Sequence, residues 1–212
     1  VTTEVADQNL FVHAGDVAAV LDHHGVDAAH VVGHDFGAAL SWLVATVSPE
    51  RVRTLTALSV GHPSAFQAAG FAQRERSWYM LFFQFEGLAE RWILEDDGAN
   101  FRAWGHHPDH EAVAAAWRDD PARLTAQLGM YRANVPAESF LAPPLELPPV
   151  TVPTMGVWSS GEHALTEVQM TGSAEHVAGP WRYERLEGPG HWIPLEAPDA
   201  LVALLVDHLA SG

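Results

Sequence analysis

The order of patterns along the chain predicts an α/β protein, a mostly parallel sheet with helices on both faces and a helical insert. Three observations carry this reading. Helix, strand, helix and strand patterns alternate through residues 5–60. Residues 64–142 then hold several helical runs and no convincing strand, and strand patterns return at 151–158 and 181–187 before a closing helix. Alternation of this kind is the grammar of a parallel sheet with crossover helices.

Each element has its own signature. In residues 5–24 the apolar positions Val5, Leu10, Val12, Val17, Val20 and Leu21 recur at roughly helical spacing. Residues 29–33, Ala-His-Val-Val-Gly, read as a short buried strand, and residues 36–47 as a helix that begins at once after it. A second strand pattern spans 53–60. The stretch from Trp78 to Ile93 is dense in aromatic residues. Pro143, Pro144, Pro148, Pro149 and Pro153 then forbid a continuous helix and mark a boundary. Residues 198–210 carry Leu201, Leu204, Leu205 and Leu209 on one stripe, with Pro198 suited to a first helical turn. Three segments follow: 1–63 and 149–212 as two parts of one core, and 64–148 as a helical cap inserted between them.

Composition narrows the function classes. The 212 residues are 48% hydrophobic, which suits a packed core, and contain no cysteine, which excludes disulfides, thiolate metal sites and a thiol nucleophile. Acidic residues number 27 against 11 basic ones, for a formal charge of −16, so the average field repels nucleic acid. No run approaches the roughly 18 apolar residues of a membrane span. The first residues include Glu4 and Asp7 without a basic cluster, unlike a signal peptide. A cytoplasmic enzyme is the expectation.

The central motif is Val31-Val32-Gly33-His34-Asp35-Phe36-Gly37-Ala38. It has the form Gly-x-nucleophile-x-Gly at a strand-to-helix junction, where the turn is so sharp that the flanking positions call for small residues, here Gly33 and Gly37. Such a turn lifts the Asp35 carboxylate above the sheet and turns the Phe36 backbone N–H toward a developing anion. A carboxylate nucleophile attacks an sp³ carbon and displaces oxygen or halide, leaving an alkyl ester. Water must then cleave that ester, which calls for a general base. His191, in Gly188-Pro189-Gly190-His191-Trp192, is the candidate, and Glu162, just past the strand at 151–158, is the candidate partner that holds its tautomer. Glu167 competes, but its place points to the following helix. The nucleophile–acid–histidine order is that of sheet enzymes with this elbow. His106, His107, Asp109 and His110 superficially resemble a metal cluster, but adjacent histidines point apart and Pro108 interrupts any helix, so a polar loop is expected and no metal.

These segments resemble the α/β-hydrolase family and, within it, the epoxide hydrolases, over nearly the whole chain. The elbow is similar to the family's nucleophile motif, which more often has tryptophan where Phe36 stands. Ser59-Val60-Gly61-His62-Pro63 resembles the stretch ending the strand before the cap. Ser77-Trp78-Tyr79-Met80-Leu81-Phe82-Phe83 is similar to the first cap motif and Met130-Tyr131-Arg132-Ala133 to the second. The resemblance implies that Tyr79 and Tyr131 bind the epoxide oxygen, that no cofactor is used, and that the product is a vicinal diol. Trp78, Phe82 and Trp192 are expected to line a pocket for a small apolar or aromatic epoxide.

The sequence departs from the family in two ways. The family acid is usually aspartate, whereas Glu162 stands here. The family also has early strands and a His-Gly oxyanion loop that do not occur in these residues, so the strand at 29–33 is expected to need a neighbour from another chain or a further segment of the same fold. The oligomeric state is left open, with a homodimer as one option. The rival readings are a dehalogenase with the same nucleophile, disfavoured because Phe36 offers no side-chain donor to a halide, and a non-catalytic binding protein on this fold.

Overall fold

The computed structural model describes residues 2–143 and 145–210; Pro144 of the proline cluster lies outside them. Four strands, β1 (Ala29–His34), β2 (Val52–Leu58), β3 (Thr154–Ser159) and β4 (Trp181–Leu186), form one sheet in the order β1-β2-β3-β4. Every neighbouring pair is parallel. The sheet lies within a unit made of residues His13–Arg76 and Pro143–Gly212.

Side-chain alternation in β2 sends successive residues to opposite faces. Leu55 and Ala57 pack with Ala38, Trp42 and Ala45 of α2 (Phe36–Val47), joined by Val17 of α1 (Leu10–His23). Leu58 faces the other way and packs with Met155, Val157, Ile193 of α10 (Ile193–Glu196) and Leu201 of α11 (Pro198–Leu209). Helices therefore cover both faces, as expected for a parallel sheet. Trp42, Leu55, Ala57 and Met155 are fully buried, and the Trp42 indole donates to the Val60 carbonyl at 3.0 Å. Among the described residues β1 pairs with β2 alone, and its Val32 is 44% exposed.

The same unit contains α3 (Pro63–Ala68), α4 (Phe71–Arg76) and α9 (Glu167–Thr171). The second unit, Val1–Val12 with Ser77–Ala142, is helical: α5 (Trp78–Phe82), α6 (Leu88–Gly105), α7 (His110–Asp119) and α8 (Pro121–Asn134). Its N-terminal turn is tied to α8, because Asn134 accepts from the Leu10 N–H at 2.8 Å and donates to the Gln8 carbonyl at 2.8 Å. Among the described residues no helix is long and apolar enough to cross a membrane.

Several boundaries differ from the sequence reading for local reasons. The helical pattern at 5–24 divides into a 3₁₀ turn, Val5–Gln8, and α1, with Asn9 extended between them. Strand β2 stops at Leu58 because Ser59 adopts a left-handed φ of 67°. Strand β3 starts at Thr154, directly after Pro153, which has no N–H to offer a ladder.

Candidate active site

Asp35 follows the last residue of β1 and precedes the first of α2, with φ 53° and ψ −123°. A non-glycine residue with positive φ is uncommon and is held only where its surroundings over-determine it. Gly33 supplies one such constraint. A Cβ there would stand 2.1 Å from the Gly37 carbonyl oxygen and 2.3 Å from Ser41 Oγ, which itself donates to that carbonyl at 2.6 Å. The matching demand expected at Gly37 is not found among the described residues: a Cβ at that position meets none of their atoms within 4 Å. The closeness is one-sided, because the backbone of Gly37 presses on Gly33 while its own side-chain direction is open. Phe36 opens α2, so its N–H belongs to the helix N-terminus, where the macrodipole favours negative charge.

Glu162 lies in the loop after β3. Its Oε2 pairs with His191 Nδ1 at 2.7 Å, and its Oε1 accepts the N–H groups of Ala164 at 2.8 Å and Leu165 at 3.3 Å. The carboxylate is thus buried but satisfied on both oxygens. Burial pushes its pKa up, and the His191 hydrogen bond, the His191 charge and the Ala164 N–H outweigh this, leaving it below the ordinary value. Glu167, by contrast, begins α9 and bonds the Tyr183 hydroxyl at 2.7 Å and Arg185 at 3.2 Å.

The other imidazole nitrogen, His191 Nε2, stands 3.6 Å from Asp35 Oδ1. Burial disfavours a charged His191, but the Glu162 hydrogen bond and the carboxylates of Asp35, Glu162 and Glu196 prevail and raise its pKa. The imidazole is therefore held at one nitrogen and directed at the candidate nucleophile with the other. Trp192 packs its ring 5.0 Å from that of His191 and 5.5 Å from that of His34.

The loop carrying His191 is fastened by residues that the sequence reading did not single out. Ser159 Oγ donates to the Gly190 carbonyl at 2.7 Å. His34 Nε2 at 2.8 Å and Ser59 Oγ at 3.2 Å both reach the His191 carbonyl. Glu196 accepts the N–H groups of Gly190 at 2.8 Å and Trp192 at 3.0 Å. Gly161 N–H donates to the Pro189 carbonyl at 2.9 Å, where a Cβ would collide at 2.6 Å, so the loops carrying Glu162 and His191 touch through a position without a side chain.

In the helical unit, Tyr79 of α5 and Tyr131 of α8 meet edge to face with ring centroids 5.8 Å apart. Phe83 lies 5.5 Å from the first and 5.0 Å from the second, and Trp104 packs 4.7 Å from Tyr79. Gln84 donates to the carbonyls of Met80 and Val135, both at 3.1 Å, which fastens α5 to the end of α8. Arg132 adds a bond to the Phe83 carbonyl at 3.0 Å and an ion pair with Glu90 at 2.9 Å. Trp78 is 46% exposed and contacts Phe82 at 6.1 Å and Trp92 at 5.8 Å. In the 106–110 loop, His107 Nδ1 accepts the Asp109 N–H at 2.9 Å, and no group of three or more potential metal ligands occurs among the described residues.

A parallel sheet, an aspartate at positive φ in a strand-to-helix turn and a buried carboxylate–imidazole pair define an α/β fold with an elbow at the end of a strand. The family model for the alpha/beta hydrolase fold matches residues 6–198, and the chain belongs to that family. Among its relatives, mouse (Mus musculus) "Epoxide hydrolase 4" is 28% identical over 211 residues, covering 90% of this chain and 56% of its own length. "Epoxide hydrolase 1" of Caenorhabditis elegans is 24% identical, covering 87% of this chain and 48% of its own length. The chain thus spans about half the length of these two curated relatives. "Epoxide hydrolase A" of Mycobacterium tuberculosis is 26% identical, with 92% of this chain and 72% of the relative covered. A solved structure described as one of the novel epoxide hydrolases from metagenomes of hot environments superposes with a TM-score of 0.83 at 27% identity, covering 100% of this chain and 77% of that one.

Proposed function

We propose that this chain carries the reacting groups of an epoxide hydrolase that opens a small apolar or aromatic epoxide to a vicinal diol. The observation that carries the reading is the line Asp35–His191–Glu162, a carboxylate nucleophile 3.6 Å from an imidazole whose far nitrogen is held at 2.7 Å. Curated relatives and a solved structure that bear the name epoxide hydrolase support it.

The reaction has two steps. Asp35 attacks a ring carbon while Tyr79 and Tyr131 donate to the epoxide oxygen; the C–O bond breaks and an alkyl ester forms. Phenols suit this role because they donate while neutral near pH 7. His191 then takes a proton from water, which attacks the ester carbonyl, with the Phe36 N–H receiving the oxyanion. The intermediate collapses and the ester C–O bond breaks; the leaving oxygen takes the proton held by His191, the proton left on the Asp35 carboxyl restores the phenol that protonated the ring oxygen, and the diol leaves. Water is the only co-reactant, so the cycle calls for no cofactor.

The electrostatics suit this order. Before reaction the Asp35 charge is one of the causes that raise the His191 pKa. Esterification removes that charge, so the imidazole's affinity for protons falls as its work as a base begins. Trp78, Phe82 and Trp192 are assigned to the substrate's apolar group. We assign the open edge of β1 to further strands of the same fold, supplied by another chain or segment, and the enzyme to the cytoplasm. A homodimer is a compatible assembly, and the charge of −16 opposes nucleic acid as a partner.

The test is hydrolysis of styrene oxide, with His191→Gln trapping the substrate's mass on the peptide containing Asp35 and Asp35→Ala abolishing turnover. Halide release from a haloalkane without diol formation would replace the proposal with a dehalogenase. Undiminished hydrolysis by Asp35→Ala would refute the nucleophile.

A further inference from the structure

The loop that delivers His191 is Gly188-Pro189-Gly190, and Gly188 has a φ of 103°. Glycine confers freedom, so such a loop does not hold an imidazole by itself. Its position comes from outside ties, and the tie from His34 differs from the rest by starting at the strand end that carries Asp35, while Ser59 Oγ reaches the same His191 carbonyl at a longer 3.2 Å. His34 is the last residue of β1 and the immediate neighbour of Asp35. Its Nε2 reaches the backbone carbonyl of His191 itself at 2.8 Å, across a sequence separation of 157. One strand end therefore presents the nucleophile and grips the residue that bears the base.

We propose, on the reading of Asp35 as nucleophile and His191 as base, that His34 is a positioning residue for the ester-hydrolysis step. The chemistry of the contact restricts the ring. A carbonyl only accepts, so Nε2 must carry the proton, and a neutral His34 then has Nδ1 without one. The His34 and His191 rings are 4.8 Å apart, so two imidazolium ions there would repel. Burial, and then the His191 charge, lower the His34 pKa, which leaves the proton of the catalytic cycle to His191. With Glu162 holding the His191 ring and His34 its backbone, both ends of the base residue are fixed relative to Asp35.

The two steps depend on this grip unequally. Alkylation uses Asp35 and does not use His191 as a base; hydrolysis does. Loss of the His34 tie slows the second step, so kcat and KM fall together while kcat/KM stays nearly constant. A displaced catalytic group costs about ten- to a hundredfold. The expected result is that His34→Ala lowers kcat by about that factor, keeps kcat/KM within about threefold, and accumulates the ester on the Asp35 peptide. His34→Gln, whose amide N–H can reach the same carbonyl, restores a third or more of kcat.

A second readout needs no substrate. The proton between His191 Nδ1 and Glu162 should give a low-field ¹H resonance that broadens or vanishes in His34→Ala and returns in His34→Gln. If the wild-type protein turns over no epoxide, the functional reading fails and the resonance alone decides the positioning role. An unchanged resonance together with, where turnover exists, unchanged kcat in His34→Ala overturns the proposal. So does an equal fall of kcat and kcat/KM in both variants with lowered Tm, which marks a packing role.

Discussion

Acid should unfold this protein partly through one histidine distant in sequence from His191. His62 is fully buried, and its ring stacks on that of His176 at 4.4 Å and 11° while Trp42 meets it edge-on at 5.4 Å. Its Nδ1 accepts the Ser64 N–H at 3.3 Å, which caps α3, and its Nε2 has no hydrogen-bond partner among the described residues. Burial first and the neighbouring His176 second lower its pKa from 6.5 to about 4. The folded value lies below the unfolded one, so the unfolded chain binds the proton first as pH falls. The contribution is complete above about pH 6.5 and is lost as pH drops through about 4. At 1.36 kcal/mol per pKa unit the full loss is about 3 kcal/mol, a large share of a typical domain's stability. His62→Asn removes the titration and keeps an acceptor for the Ser64 N–H. Urea denaturation of both proteins between pH 7.5 and pH 4 should show the variant less stable at neutral pH, because it leaves a cavity, but with a slope on pH flatter by about 2–3 kcal/mol over that range. Parallel slopes for the two proteins would refute the reasoning, as would an NMR titration of native His62 near 6.5.

Three further outcomes follow from the site. Gly33→Ala puts a methyl group 2.1 Å from a carbonyl oxygen and should cost about 2–3 kcal/mol or more, whereas Gly37→Ala should change stability by less than about 1 kcal/mol; equal losses in urea titrations would contradict the one-sided contact at the elbow. Glu162→Gln should keep the far-ultraviolet circular dichroism and lower kcat by about 10³- to 10⁴-fold with accumulated ester, because the imidazole loses its charged orienting partner; near-normal turnover would exclude the acid's role. The rate of ester hydrolysis in single turnovers should rise with pH as His191 deprotonates. Its midpoint should lie below the His191 midpoint that NMR gives for the free enzyme, since esterified Asp35 no longer raises that pKa; a midpoint at or above the free value would contradict this.

Local chemistry made the meeting of Asp35, His191 and Glu162 in the candidate site legible. Asp35 was readable because the Gly33 position tolerates no side chain and the strand and helix patterns abut there. His191 and Glu162 were readable because small residues precede the one and a strand end precedes the other. The ties on the base loop were not. Ser59, Ser159, His34 and Glu196 meet it only through the parallel register and the return of α10, and no short-range spacing encodes that meeting. The demand on Gly37 was not met because an elbow's second glycine owes its constraint to what lies beside it, and among the described residues nothing lies within 4 Å of a Cβ there. Strand ends were displaced where a single residue intervened, a left-handed Ser59 or the missing donor of Pro153.

The pairing of β2 with β3 has a consequence for rebuilding the molecule. Leu55 to Leu58 lie in register against Thr154 to Val157, although the helices of Ser77–Ala142 intervene in the chain. Adjacent strands thus form both borders of that excursion, and a shorter or foreign excursion spliced there leaves the ladder's hydrogen bonds unaltered. The chain is in this sense a chassis with a modular port, whose two fixed rungs are Leu55–Leu58 and Thr154–Val157.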